Sequence, residues 1–378
     1  MIPFTKPITA PGTLENLRSA LEGGHLSGDG PFTRRASALL SEQMGGAASV
    51  LLTTSCTHAL EMIALMLPIE PGDEVVLPSY TFSSTANAFR LRGARLRFAD
   101  VDPTTFSMGP REVEAALTDR TVAVMAVHYG GVADGLDELA ALCAARGVAL
   151  VEDNAHGLFA SFKDRPLGTF GRMSALSFHA TKNISCGEGG ALILNEPERD
   201  RLAAEIVREK GTDRSRFLRG EVDKYTWRDV GSSYLPADLL AAVLVAQLEH
   251  AEAIQRRRMA AWEVYRSLLE PEAERLGIVL QRIPPESRHP AHVFALLTPE
   301  GVGRGPVLTR MRAAGIKASS HYEPLHRAPA HDGDEELPVT DMITQRLIRL
   351  PLFAELTLAQ AERVGHALIE SVEGALSA

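Results

Sequence analysis

Only three cysteines occur in this sequence, Cys56, Cys143 and Cys186, odd in number and far apart. That pattern argues against a disulfide framework and for reduced thiols in a cytoplasmic setting. No uncharged apolar run approaches the ~18–20 residues that a membrane span needs. The opening Met1-Ile2-Pro3-Phe4-Thr5-Lys6-Pro7 lacks a basic stretch followed by an apolar one, so no secretory signal is expected. Positive charge is not in excess either. A formal net charge of −9 disfavours non-specific nucleic-acid binding and leaves room only for a local basic patch. Internal repeats and low-complexity tracts are absent. The expectation is a cytoplasmic globular protein that engages neither membrane nor nucleic acid.

Several chemical signatures are missing too. Without G-x-x-x-x-G-K-[ST] a nucleotide triphosphatase is disfavoured, and without G-x-G-x-x-G after a strand so is a dinucleotide cofactor. His128, His156 and His179 lie at unrelated spacings, and neither H-E-x-x-H nor a paired C-x-x-C is present. No metal centre is therefore expected. A Ser-His-Asp hydrolase lacks its G-x-S-x-G.

What the chain does have is alternation. Apolar runs at 49–53, 74–78, 96–99, 122–127 and 148–152 read as strands, several of them apolar throughout, as strands covered on both faces should be. Between them lie helix-period stretches. Ala59, Met62, Ile63 and Met66 share one face, as do Leu136, Leu139, Ala140 and Cys143, with Gly147 as the stop. Strand–helix repetition predicts an α/β fold with a mostly parallel sheet covered by helices. At 378 residues the chain exceeds the usual single core, so a large domain over 1–250 and a smaller C-terminal α+β domain over 251–378 are expected. A long helix from about Pro236 to Arg258, with the proline in its first turn, should join them. In the smaller domain 292–297 reads as a strand, and 304–314 and 359–373 as helices.

Ligands of such sheets bind beyond the carboxyl ends of the strands. Thr53-Thr54-Ser55, Pro78-Ser79-Tyr80, His128-Tyr129-Gly130 and Asp153 all follow strands and should share one rim. Hydroxyls at a strand-to-helix turn, as in 53–57, suit an anion, and an ordinary helix cap equally. Lys182 lies 29 residues after Asp153, each beside an apolar run. A lysine amine forms a Schiff base with an aldehyde cofactor, and a buried carboxylate is the counter-ion a pyridinium nitrogen needs. Together they suggest pyridoxal phosphate (PLP). The plainer alternative is a structural Asp and a solvated Lys. Gly187-Glu188-Gly189-Gly190 permits close backbone approach beside the lysine, and Phe82 offers a flat face for a ring or for core packing.

Ser-Cys-Thr-His-Ala-Leu (55–60), Pro-Ser-Tyr-Thr-Phe (78–82), Glu-Asp-Asn-Ala-His (152–156), Ser-Phe-His-Ala-Thr-Lys-Asn (177–183), Gly-Glu-Gly-Gly (187–190) and His-Tyr-Glu-Pro-Leu-His (321–326) occur in this order. So arranged, they resemble the DegT/StrS-type nucleotide-sugar aminotransferases. With 208–212 and 223–234 the chain resembles the dTDP-4-amino-4,6-dideoxygalactose transaminase branch. The resemblance implies PLP-dependent aminotransferase fold type I, a homodimer with interface active sites, and transfer of an amino group from L-glutamate to a dTDP-4-keto-6-deoxyhexose. Lys182 would hold PLP covalently and move the proton, Asp153 would pair with the ring nitrogen, and His156 would stand near the ring hydroxyl. Phe82 would stack on the ring, while Ser55, Cys56, Thr57 and Ser177 would contact the phosphate. Ser233 stands where many relatives carry an Asn that reaches a neighbouring subunit's cofactor. Glu188, Arg219, Lys224, Tyr225, His321 and Tyr322 would meet substrate.

Seven basic residues against four acidic ones over 208–228 make that stretch a candidate for the sugar nucleotide's diphosphate, or else a solvated or interface loop. Rival readings are a PLP-dependent sugar dehydratase, in which a histidine replaces the lysine, a sugar 3-aminotransferase, and a PLP-binding regulator without turnover. Lys182 argues against the first and the set Lys182, Asp153 and His156 against the last. C3 or C4 chemistry, and the gluco or galacto product, stay open at this level.

Overall fold

Near-continuous apolar runs in the first half of the chain become β1 (Ser49–Thr53), β2 (Glu74–Pro78), β3 (Arg95–Ala99), β4 (Thr121–Val127) and β5 (Ala149–Asp153) in a computed structural model that describes residues 1–377. A short hairpin of β6 (Ser161–Phe162) and β7 (Arg165–Pro166) precedes β8 (Met173–Ser177) and β9 (Gly190–Leu194). The central sheet has seven strands in the order β1-β9-β8-β5-β4-β2-β3. β9 runs antiparallel to both β1 and β8, and the remaining pairs are parallel. The sheet is thus mixed but mostly parallel.

Alternation along each strand feeds two cores. Val75, Leu77, Met125 and Val151 pack with Ala59, Met62 and Ile63 of the Cys56–Met66 helix on one face. Val76, Val124 and Leu150 meet Leu136, Leu139 and Cys143 on the other. Glu152 and Asp153 accordingly point to opposite sides. The Glu152 carboxylate accepts Gly168 and Gly171 N–H bonds at 2.8 and 2.6 Å and faces His128 Nε2 at 2.8 Å, which fixes that edge of the rim.

Beyond the sheet, β10 (Val279–Leu280), β12 (Ala295–Leu297) and β13 (Leu347–Arg349) form a small antiparallel sheet, while β11 (Ser287–Arg288) pairs with β6. The Ala251–Leu269 and Leu358–Leu376 helices cover the small sheet, and Ile2 is buried in the same core. The chain's first residues therefore pack with its C-terminal part. Ile2 N–H donates to Gly315 O at 2.8 Å, and Leu352 N–H to Phe4 O at 3.2 Å.

Two expectations are corrected. The long helix from Pro236 is two helices, Asp238–Glu249 and Ala251–Leu269, broken at His250 (φ −111°, ψ 13°). Pro236 lies before the first of them. The Asp238 carboxylate is turned away to accept N–H bonds from Phe32 and Thr33 at 3.2 and 2.7 Å, capping the Pro31–Gln43 helix. The strand expected over 292–297 shortens to Ala295–Leu297 because side chains take the carbonyls ahead of it. Asn183 donates to Pro290 O, and Arg258 donates to Ala291 O and His292 O, at 2.7, 3.1 and 2.9 Å. Among the described residues no helix is long and apolar enough to cross a membrane.

Candidate active site

Strands β1, β2, β4, β5 and β8 end on one rim, and a cavity of about 400 Å³ opens there. Register brings the parts together. Asp153 sits opposite Val127 on one side and Ala175 on the other, while Gly190 at the start of β9 pairs with both Thr53 and Ser177. Ser55, Cys56, Thr57, Phe82, Asp153, His156, Ser177, Lys182, Glu188, His321 and Tyr322 all line this cavity.

Asp153 is buried, accepting Thr85 Oγ1–H at 2.8 Å and the Ala155 N–H at 3.1 Å. Lys182 follows β8 in a loop closed by its own N–H donating to His179 O at 2.8 Å. Its ammonium lacks any hydrogen-bond or ion-pair partner among the described residues. Burial pushes its pKa down to about 8; Arg349 pushes the same way, and Cys56 and Asp153 oppose it. Burial, with Asp153 beside it, raises the Cys56 thiol well above its ordinary range, so the thiol is neutral.

His156 is held well below its ordinary value by burial, then by the positive charges of Lys182 and Arg349. Its Nδ1 accepts the Gly130 N–H at 3.2 Å, which leaves Nε2 to carry the proton, 3.3 Å from Tyr322 Oη. The His292 ring lies 4.2 Å from it. There Nδ1 donates to Asn183 Oδ1 at 2.8 Å, since the Asn183 amide nitrogen already donates elsewhere. The segment carrying His321 and Tyr322 is clamped to the turn after β2. Ser79 Oγ accepts the His326 N–H at 3.0 Å and donates to His326 Nδ1 at 2.7 Å, and Tyr80 Oη donates to His321 O.

These residues fit PLP on geometric grounds. The first N–H groups of the Cys56–Met66 helix have no intrahelical partner and suit a phosphate. Ser55 Oγ caps that helix by accepting the His58 N–H at 3.2 Å, which leaves its O–H free to donate to a phosphate beside the backbone N–H groups, while Thr57 Oγ1 already shares a 2.8 Å hydrogen bond with Ser84 Oγ. Gly190 holds this turn close, for a Cβ there would lie 2.4 Å from Cys56 N. An unpaired amine and a buried carboxylate complete the set, and Phe82, 56% exposed, presents an unusually open ring at the mouth.

Four expected residues lie outside the cavity of their own chain. Ser233 bridges to Glu209. Arg219 is held by Glu205 and Glu221 at 2.9 and 2.6 Å, in a separate groove with Arg216. Lys224 and Tyr225 are exposed, Tyr225 beside Phe217. The basic stretch 208–228 is also less free than its composition suggests, since Arg208, Lys210, Arg214, Arg216, Arg219 and Arg228 all pair with carboxylates. Conversely, Thr85, His292, Arg349 and Phe4 line the cavity without having been singled out in the sequence.

A family model described as the DegT/DnrJ/EryC1/StrS aminotransferase family matches residues 8–369. The spore coat polysaccharide biosynthesis protein SpsC of Bacillus subtilis (strain 168) is 30% identical over 391 residues, covering 99% of this chain and 98% of its own. The aminotransferase TlmJ from Streptoalloteichus hindustanus superposes with a TM-score of 0.90 at 30% identity, over 100% of both chains. The sugar aminotransferase CalS13 from Micromonospora echinospora, at 24% identity and a TM-score of 0.88, covers 98% of this chain and 100% of its own and shares the fold. The cavity fits the cofactor and the match runs nearly end to end. The chain therefore belongs to the DegT/DnrJ/EryC1/StrS family, as a PLP-dependent aminotransferase.

Proposed function

We propose that this enzyme moves an amino group from L-glutamate to the keto carbon of a dTDP-4-keto-6-deoxyhexose, giving a dTDP-4-amino-4,6-dideoxyhexose. The observation that carries the chemistry is the convergence of Lys182 and Asp153, from neighbouring strands, on a single cavity whose rim ends in a helix N-terminus. The substrate rests on the resemblance of 208–212 and 223–234 to the galactose branch. The name of the SpsC relative, a polysaccharide biosynthesis protein, supports a carbohydrate substrate.

Bound PLP supplies an aldehyde for the amino group and a ring that delocalises electrons when the neighbouring carbon loses its proton. The protein's own groups do the rest. Lys182 would hold the cofactor, then act as the base that lifts and returns the proton. With a pKa of about 8 roughly a tenth of the amine is free base at pH 7, a few hundred-fold more than for an ordinary lysine. Asp153, oriented by Thr85, would keep a proton on the ring nitrogen. His156 would donate from Nε2 toward the ring hydroxyl, and Phe82 would cover the ring face. Cys56, Thr57, Ser177 and Ser55 would surround the phosphate. Glu188, His321 and Tyr322 would face the sugar.

The same reading includes a cytoplasmic homodimer, with the division near residue 250. Phe217, Leu218, Tyr225, Trp227 and Val230 are exposed within one short stretch, which a second copy would cover. Arg219, Lys224, Tyr225 and Ser233 would then serve a neighbour's site. Incubation with L-glutamate and dTDP-4-keto-6-deoxyglucose, followed by NMR of the product, tests the reading. An amine at C4 supports it, whereas an eliminated hydroxyl, or no product from the 4-keto sugar but an amine from its 3-keto isomer, overturns it.

A further inference from the structure

His292 is buried, and its ring lines the same cavity as Lys182. The segment that carries it is fastened from several directions. Asn183 and Gln255 both donate to Pro290 O, at 2.7 and 3.2 Å, and Arg258 donates to Ala291 O and His292 O at 3.1 and 2.9 Å. His289 Nδ1 accepts the Ala291 N–H at 3.1 Å. Between these anchors Ala291 is held at φ 47°, a left-handed conformation that a residue with a Cβ keeps only when its surroundings impose it. The strain and the anchors together fix the place of one imidazole ring.

The same contacts fix its tautomer. Asn183 uses its amide hydrogens on Pro290 O and on Gln255 Oε1, the latter at 3.0 Å, so its Oδ1 can only accept. His292 Nδ1 therefore carries the proton, 2.8 Å from that oxygen, and Nε2 presents a lone pair. No group among the described residues bonds to this nitrogen. Burial first, then His156 and the charges of Lys182, Arg258 and Arg349, hold the His292 pKa well below its ordinary value, so the ring stays neutral. In the same cavity the Lys182 ammonium has three hydrogens and no acceptor. A buried donor and a buried acceptor are each costly when unpaired, and joining the two removes both costs.

We propose that His292 Nε2 is the acceptor that receives the Lys182 amine whenever the lysine is released from the cofactor, which makes His292 a positioning residue for the proton transfers. Asn183, which orients the ring, is the next residue after Lys182, so one loop carries the lysine and aims its acceptor. A hydrogen bond to the ammonium stabilises the lysine after it has taken up the donor's proton and keeps it in place until the proton is returned. This rests on Lys182 being the cofactor's lysine and concerns what holds that lysine once it is free.

Two substitutions separate this role from a structural one. H292N places an amide where Nδ1 stands, keeping the contact with Asn183 and deleting the acceptor on the far side of the ring. H292Q places an amide oxygen near Nε2 and gives up the contact with Asn183. Each protein is loaded with pyridoxamine phosphate, the cofactor form that leaves the lysine free, and the Lys182 amine is titrated by competitive acetylation and mass spectrometry. In H292N its pKa should fall by about one unit. Cys56, Asp153 and Arg349, the ionisable groups that act on this amine, stay in place in both variants. Conversion of the PLP-loaded H292N protein by L-glutamate should slow about tenfold or more. Half-saturating L-glutamate and the sugar-nucleotide KM should not move, and H292Q should restore most of the rate and of the pKa.

An H292N protein that behaves like wild type, or an H292Q protein no better than H292N, overturns the proposal. So does a change confined to either saturation constant, which would assign Nε2 to a substrate. Should the variants not fold, the wild type decides. Histidine 15N NMR should show the His292 Nε2 resonance moving to its hydrogen-bonded range between the PLP and pyridoxamine phosphate forms, and remaining unbonded in K182A carrying pyridoxamine phosphate. A resonance that does not move, or that moves equally in K182A, overturns it as well. Borohydride reduction that places the cofactor on another lysine would instead refute the assignment of Lys182.

Discussion

Thr85 Oγ1 donates a 2.8 Å hydrogen bond to Asp153 Oδ2 inside the protein, where neither side chain meets solvent freely. A hydroxyl on a helix of one βα unit thus aims a carboxylate on the strand of another. Thr85→Val should leave that oxygen underserved and cost about 1.5–3 kcal/mol, read as a lowered urea midpoint. Turnover should fall roughly tenfold. Asp153→Asn, which removes the charge itself, should lower kcat by about 10²–10³-fold or more while the protein still folds.

Gly190 is the contact point between β9 and the phosphate turn. Its added Cβ would lie 2.4 Å from Cys56 N and 2.5 Å from Ser55 O, both backbone atoms that a side-chain rotation cannot relieve. Gly190→Ala should therefore displace the turn, costing about 1–3 kcal/mol. The cofactor absorbance retained after dialysis should drop well before the far-ultraviolet circular dichroism changes.

The Lys182 amine titrates at about 8 in the folded protein, against 10.5 ordinarily. The unfolded chain binds the extra proton between those values. Stability of the cofactor-free protein should consequently rise with pH from about 8 to 10.5, and the penalty should be fully present below 8. Rapid-mixing measurements of PLP capture should show a rate that climbs through pH 8 and levels off above it. Arg349→Gln, which removes a neighbouring positive charge, should move that inflection upward.

His156 is neutral throughout the working range, because burial and two nearby cations hold its pKa well below 6.5. The pH–rate profile should show no inflection near 6.5 from this group. His156→Gln keeps a donor and should stay within about tenfold of wild-type kcat, whereas His156→Ala should lose about 10²-fold, within the range for a positioned proton donor.

Much of the scaffold was legible because strands covered on both faces are apolar throughout, so β1, β2, β4 and β5 stand out as runs, whereas the edge strand β3 alternates Arg95 and Arg97 with Leu96 and Phe98. Asp153 and Lys182 were legible for the same reason: each adjoins such a run. The antiparallel entry of β9 was not, since an apolar run carries no direction. The break at His250 was hidden too. No glycine or proline marks it, and the apolar period passes through it. Thr85, His292 and Arg349 gave no signal because their roles come from long-range approach. Arg349 reads in sequence as an ordinary strand arginine, and only the folded chain leaves it facing a cavity without a partner. The basic stretch 208–228 misled in the other direction, because the carboxylates that neutralise it include Asp29 and Glu205, outside the stretch.

The most direct measurement is reduction of the PLP-loaded protein with borohydride, digestion, and mapping of the labelled peptide by mass spectrometry. The phosphopyridoxyl mass should fall on the peptide containing Lys182 and vanish in Lys182→Ala. A label on any other lysine, or an unchanged label in that variant, would contradict the account.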